Sequence, residues 1–162
     1  MNVSCFSFSC PAFSGVIKVA LSAKGLRSLE FVGSNSVPDH KQSQPQEVKD
    51  LAEQIRIQLD QYFKGNLKTF SFMLDPQGSD FQKRVWQELS KVPFGVTVPY
   101  KEIANRLGMP GASQAVGQAN KRNPIPLVIP CHRIVSSDGG IGGYLGGVEL
   151  KRKFLNHELS RV

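Results

Sequence analysis

The sequence predicts an α+β protein, with a small α/β unit in residues 1–77 and a mostly helical unit in residues 78–162. Three observations lead there. The first half holds short β-rich runs and one long amphipathic helix. The second half holds short helical stretches punctuated by Pro and Gly. Between them stands Asp75-Pro76-Gln77-Gly78, which is turn chemistry. With 162 residues, 40% hydrophobic and 20% charged, the chain can bury a core and is not compositionally disordered.

In the first half, residues 16–20 and 26–32 are β-rich and joined by Ser22-Ala23-Lys24-Gly25, which predicts a hairpin. Residues 33–45 are polar and aperiodic and are expected to be a loop. Val48, Leu51, Ala52, Ile55, Leu59, Tyr62 and Phe63 recur at three- and four-residue steps, so a helix follows, with Gly65 as its stop. Residues 67–74 are expected to be a strand with Phe70, Phe72 and Leu74 on one face. Met1-Asn2-Val3-Ser4-Cys5-Phe6 lacks the pattern of a secretory signal, and Cys5 and Cys10 are expected to sit near a mobile end. Nothing in this half looks catalytic.

In the second half, Ser79 or Asp80 can cap a helix running to Ser90, with Phe81, Val85, Trp86 and Leu89 inward. Pro93-Phe94-Gly95 ends it. Residues 99–108 form a short helix with Pro at the start and Gly at the end. Met109-Pro110-Gly111 turns the chain into a second short helix over 112–121, and a last helix covers about 148–157. Two short helices across a tight turn suggest a helix-turn-helix. Ala112, Ser113, Ala115, Gly117 and Ala119 keep the second helix slim, and Gln114, Gln118 and Asn120 offer donors and acceptors. An ordinary packed αα-hairpin is the alternative.

Charge separates the halves. Residues 1–80 carry eight basic and eight acidic side chains, whereas residues 81–162 carry twelve basic against five acidic, so the whole net charge of +7 lies in the second half. A polyanion partner, nucleic acid first, or plain solubilising charge would explain it. No apolar run is long enough for a membrane span, and three cysteines cannot all pair, so a reducing, cytoplasmic setting is expected.

Val128-Ile129-Pro130-Cys131-His132-Arg133 is the stretch with the most chemistry. It follows the stiff run Asn123-Pro124-Ile125-Pro126-Leu127. A cysteine beside His and Arg suits nucleophilic work, because the thiolate is the reactive form and positive charge favours it. Gly139-Gly140-Ile141-Gly142-Gly143-Tyr144-Leu145-Gly146-Gly147 lacks the Gly-Lys-Ser/Thr ending of a phosphate loop, which argues against nucleotide binding. It either lets backbone approach a flat ligand or forms a mobile loop.

Together these residues resemble the O6-alkylguanine-DNA alkyltransferase family. The motif Pro130-Cys131-His132-Arg133, Asn123-Pro124-Ile125-Pro126 before it, Gly142-Gly143-Tyr144-Leu145-Gly146-Gly147 after it, Phe81-Gln82-Lys83-Arg84-Val85-Trp86, and Pro93-Phe94-Gly95 through Tyr100 match in order and spacing over nearly all of residues 78–158. The first half matches only in its hairpin–helix layout. The resemblance implies a ribonuclease-H-like first domain and a winged-helix-like second one. It implies DNA repair by stoichiometric transfer of the alkyl group from O6-alkylguanine, and from O4-alkylthymine, to Cys131 after base flipping. His132 would activate Cys131 through a water, Glu158 would orient His132, Tyr100 would donate to the base, and Asn123 would brace the turn. Pro126, Val128, Ser137, Gly142 and Tyr144 match the pocket wall. Gln114, Ala115, Lys101, Arg106, Lys121, Arg122 and Arg133 are the expected DNA contacts, with the second helix in the minor groove of a duplex. The protein is expected to act as a monomer, at the nucleoid if bacterial and in the nucleus if eukaryotic.

Gln114 stands where the family usually has an arginine that fills the gap left by the flipped base. Glutamine brings no charge and less reach, so weaker extrusion is expected. No cofactor is expected. The family's optional zinc site needs four ligands in the first domain, where only Cys5, Cys10 and His40 are available, so no metal is expected either. Two other readings stay open: a DNA-binding module without transfer activity, and a cysteine hydrolase or thiol peroxidase.

Overall fold

A computed structural model describes residues 3–13, 15–33 and 44–162. The expected loop falls largely outside them, as does His40. The chain divides into two compact units, Met1–Pro76 and Gln77–Val162.

The first unit is a three-stranded antiparallel sheet, order β1-β2-β3, with one helix against it. β1 is Ser4–Cys10, β2 Gly15–Ser22 and β3 Gly25–Gly33. The β2–β3 hairpin follows the sequence reading. β1 does not: the expected mobile end is a full strand paired to β2, with Phe6 opposite Val19 and Phe8 opposite Ile17. Ile17, Val19 and Leu21 point alternately into the core and meet Ala52, Ile55, Leu59 and Tyr62 of α1, Gln46–Phe63. α1 stops in a Schellman motif at Gly65 (φ +81°), with N–H donations from Gly65 to Tyr62 O and from Asn66 to Gln61 O, both at 2.9 Å.

Residues 67–74 make a single parallel bridge, Leu26 to Leu74, and not the expected strand. Phe70 instead stacks on Tyr62 at 5.4 Å. Asp75 anchors the end of this segment, accepting from Ser22 Oγ at 2.6 Å and from Arg27 at 3.0 Å. Gly25 is required here. A Cβ would stand 2.3 Å from the Met73 carbonyl, at φ +146°.

The second unit begins with α2, Asp80–Ser90. Its N-terminus is a capping box: Gln82 N–H donates to Ser79 Oγ at 3.3 Å, and Ser79 N–H donates to Gln82 Oε1 at 2.9 Å. Val85, Trp86 and Leu89 form its buried face, and the Trp86 indole N–H donates to the Ala119 carbonyl at 2.9 Å. That bond ties α2 to α4, Ser113–Lys121. α3, Tyr100–Arg106, packs on both. The α3–α4 turn is again a Schellman motif, with Gly108 N–H on Asn105 O (2.9 Å) and Met109 N–H on Ala104 O (3.0 Å). The helix-turn-helix geometry therefore rests on Gly108, at φ +71°.

Two two-residue strands, β4 (Val98–Pro99) and β5 (Ile134–Val135), pair in parallel. They fix the start of α3 beside the segment carrying Cys131. α5, Val148–Leu159, closes the unit.

Candidate active site

Local geometry presents Cys131. Leu127 is buried at φ +74°, a left-handed conformation that costs a branched residue about 1–2 kcal/mol. Asn123 holds that turn in place. Its Nδ2 donates to Ile129 O at 2.8 Å, and its Oδ1 accepts from Ile125 N–H at 2.9 Å. Cys131, His132 and Arg133 then form a single 3-10 turn. They are 3%, 0% and 7% exposed.

α5 faces this turn with Lys151, Phe154, Leu155 and Glu158, a three-and-four spacing on one side of a helix. Glu158 is the hub. It meets His132 Nε2 at 2.8 Å and accepts from Arg133 Nε and a terminal guanidinium nitrogen, both at 2.9 Å, and from Gly95 N–H at 3.0 Å. Burial alone would raise its pKa, but the donors from His132, Arg133 and Gly95 outweigh burial and hold the carboxyl well below the usual carboxylate range. Burial pushes the His132 pKa down, against the pull of Glu158, so the imidazole is neutral near pH 7. An ionised carboxylate at Nε2 assigns the ring proton to that nitrogen. Nδ1 then carries the lone pair, and it is buried without a partner among the described residues. The Phe154 ring fixes the imidazole edge-on at 5.4 Å.

The Cys131 thiol is pushed up by burial. The Asn123 and Tyr144 side chains and the charge of Lys151 oppose that rise. The resting state is therefore the thiol, and a thiolate requires a proton acceptor. Lys151 went unnoticed in the sequence, where it is one of the twelve basic residues after position 80. Its side chain is fully buried, donates to Ile134 O at 2.5 Å and lies 5.9 Å from the Tyr100 ring centre. Burial lowers its pKa to about 8. Helical phase was the available signal, since Lys151 shares the Phe154–Glu158 face.

Tyr100 opens α3, and its phenol pKa is raised by burial and by Cys131, with Asn120 acting the other way. Gly142 lies against it: a Cβ there would be 2.9 Å from Tyr100 Oη. Cys131, His132, Glu158, Tyr100, Asn123 and Tyr144 are thus brought together. Pro126 and Val128 are half-buried on the segment before Cys131, and Ser137 is exposed after β5. Gln114, Ala115 and Gln118 lie on the outward face of α4, and Lys101, Arg106, Lys121 and Arg122 are exposed around the α3–α4 pair.

Arg133 sits apart from that set. Its guanidinium is spent on Glu158 and on the Val92 carbonyl at 2.5 Å, so it supports the buried cluster and presents no charge to a phosphate. Of the twelve basic residues after position 80, all but Arg133 and Lys151 are exposed. Among the described residues no group of three or more His, Cys, Asp or Glu could hold a metal ion, and no helix is long and apolar enough to cross a membrane.

Comparison with known proteins identifies the family. Residues 80–160 match the DNA-binding domain of 6-O-methylguanine DNA methyltransferase, and residues 8–76 match its ribonuclease-like domain. The chain is 43% identical over 144 residues to the methylated-DNA–protein-cysteine methyltransferase of Methanosarcina barkeri, covering 89% of this chain and 90% of that one. It superposes on the Mycobacterium tuberculosis O6-methylguanine methyltransferase with a TM-score of 0.82 and 35% identity, covering 99% of this chain and 95% of that one. A crystal structure of the M. tuberculosis protein in complex with DNA gives the same TM-score of 0.82 at 38% identity, covering 96% and 92% of the two chains.

Proposed function

Because the chain belongs to the 6-O-methylguanine DNA methyltransferase family, we propose that it repairs DNA by moving the alkyl group of O6-alkylguanine onto its own Cys131. The observation that carries this is the ordered chain of groups behind the thiol. An ionised Glu158 sits at His132 Nε2, and the opposite ring nitrogen is a buried lone pair on a neutral imidazole.

In the reaction, His132 Nδ1 takes the Cys131 proton by way of a water. Glu158 stabilises the resulting imidazolium, as in other carboxylate-backed bases. The sulfur attacks the alkyl carbon, a C–S bond forms, and the bond from that carbon to O6 breaks. Its electron pair passes to the purine, which takes a proton from the Tyr100 hydroxyl. His132 then returns the cysteine proton to Tyr100. The net change is one thioether and one guanine, with the thiol proton on the base. A thioether offers water no carbonyl to attack, so each chain acts once. Lys151 counters the cost of forming a buried thiolate.

The lesion atom is inside the duplex, so the base must leave the stack. α4 is the element for this. Its outward face is slim at Ala115 and polar at Gln114 and Gln118, which suits the minor groove. Lys101, Lys121 and Arg122 supply phosphate contacts. The protein works as a monomer, in the compartment that holds the DNA, on O6-alkylguanine and O4-alkylthymine.

A duplex carrying one radiolabelled O6-methylguanine tests this. Label should pass to protein until one methyl is transferred per chain, and then stop. Cys131→Ala should bind the duplex and transfer nothing. Continued turnover, or transfer by Cys131→Ala, would refute the proposal.

A further inference from the structure

Two features of the second unit have no part in the mechanism above: the turn Pro93-Phe94-Gly95 after α2, and Arg133. The structure joins them. Arg133 Nε donates to Glu158 Oε2 and Nη2 donates to Glu158 Oε1, both at 2.9 Å, so the guanidinium lies side-on across both carboxylate oxygens. Its Nη1 donates to the Val92 carbonyl at 2.5 Å, and its central carbon lies 5.9 Å from the centre of the Phe94 ring. Gly95 N–H donates to Glu158 Oε2 at 3.0 Å. The 92–95 turn therefore grips the guanidinium through Val92 and the carboxylate through Gly95. A left-handed backbone at Gly95, φ +75°, makes that grip possible.

A carboxylate has about four lone-pair sites. At Glu158 all are taken: Oε1 by Arg133 and by His132 Nε2 at 2.8 Å, Oε2 by Arg133 and Gly95. The carboxylate cannot turn, and His132 shares Oε1 with a permanent cation. An imidazolium would set a second positive charge on an oxygen already held by a guanidinium. His132 thus gains less from protonation than it would beside an unshared carboxylate. Burial lowers its pKa, Glu158 raises it, and the charges of Arg133 and Lys151 lower it. Among the described residues no other charged side chain is buried. α2, which also packs on the Cys131–Arg133 turn, adds only Val85, Trp86 and Leu89 to its buried face.

We propose that Arg133, held by the 92–95 turn, is a positioning residue for alkyl transfer: it fixes Glu158 with Oε1 on His132 Nε2 and, by sharing that oxygen, keeps Nδ1 an open acceptor for the thiol proton. This rests on the reading that His132 is the base.

The test compares the wild-type chain, Arg133→Met and Arg133→Lys. Methionine keeps an apolar stem and removes the charge. Lysine keeps the charge, but its single ammonium cannot span both oxygens. In chains labelled with 15N-histidine, NMR should show His132 taking up its proton at higher pH in both variants than in wild type, and more so in Arg133→Met. In single-turnover transfer at saturating duplex, Arg133→Met should be roughly ten-fold slower than wild type at pH 7, the worth of about one pH unit at the base. That ratio should shrink as pH rises to 9, because the imidazole regains its lone pair. Duplex affinity should not change. A support of the fold alone would slow transfer by the same factor at every pH. A ratio independent of pH, an unchanged His132 titration, or a folded variant that loses duplex affinity would overturn the proposal. If Arg133→Met does not fold, Arg133→Lys decides on the same readouts, with a smaller shift in the same direction. A shifted His132 titration beside an unshifted rate profile would instead remove His132 as the base and sink the underlying reading.

Discussion

Glu158→Gln probes the buried cluster most sharply. The carboxylate accepts four hydrogen bonds, from His132 (2.8 Å), twice from Arg133 (2.9 Å each) and from Gly95 (3.0 Å). Glutamine preserves the volume and one acceptor oxygen. It removes the charge, turns the other oxygen into a donor facing Arg133 or Gly95, and leaves the Arg133 guanidinium buried without a counterion. Breaking a buried ion pair by removing one partner costs about 3–5 kcal/mol. In a protein of this size each kcal/mol shifts the melting temperature by roughly 2–4 °C, so a drop of about 6 °C or more is expected.

The pH dependence is a second signature. The folded-state pKa of Glu158 is depressed, so its contribution to stability is fully present above its ordinary value of 4.5 and is lost as pH falls towards the folded pKa. Thermal melts from pH 7 down to pH 3 should show the wild-type chain losing stability more steeply below pH 4.5 than Glu158→Gln. Transfer should also slow, because nothing then assigns the His132 proton to Nε2. Equal melting temperatures and parallel acid limbs would refute the reasoning.

Three further outcomes are expected. Lys151→Met should stabilise the fold, because lowering a lysine from 10.5 to about 8 costs roughly 3 kcal/mol at neutral pH, yet it should slow transfer by removing a charge near the thiolate. The sign shows in the difference between the two melting curves: between pH 8 and 10.5 the unfolded chain keeps the Lys151 proton that the folded chain has released, so wild type gains on Lys151→Met as pH rises. Gly142→Ala places a Cβ 2.9 Å from Tyr100 Oη at φ +73° and should slow single-turnover transfer roughly ten- to a hundred-fold with the fold retained. Gln114→Arg should tighten duplex binding and speed repair, as measured by titration and single-turnover assays, because it adds charge and reach on the outward face of α4.

Much of this molecule was legible in its sequence, for identifiable reasons. α1 and α2 carry strong three-and-four periodicity, and a cap at Ser79 or Asp80 and the stop at Gly65 mark two of their ends. The Cys131 segment was legible because its prolines and its Cys-His-Arg run are rare together. β1 was missed although Phe6-Ser7-Phe8-Ser9-Cys10 alternates with period two, because the end of the chain was expected to be mobile and its partner β2 was not weighed with it. Residues 67–74 read as a strand from alternating Phe70, Phe72 and Leu74, yet the bonds with β3 stop after one bridge. The β4–β5 pair is two residues long, below any periodic signal. Arg133 was misleading and Lys151 was passed over for one reason: a charged side chain shows its buried counter-group only in the fold, and Glu158 and the Ile134 carbonyl are distant in sequence.

The central claim is that the sulfur of Cys131 keeps the alkyl group. Incubation with a duplex bearing O6-methylguanine, followed by tryptic digestion and tandem mass spectrometry, should find the added methyl on the peptide from Asn123 to Arg133, at Cys131, with Cys5 and Cys10 unchanged. A methyl on either of those cysteines, or repaired DNA with an unmodified Cys131, would contradict the account.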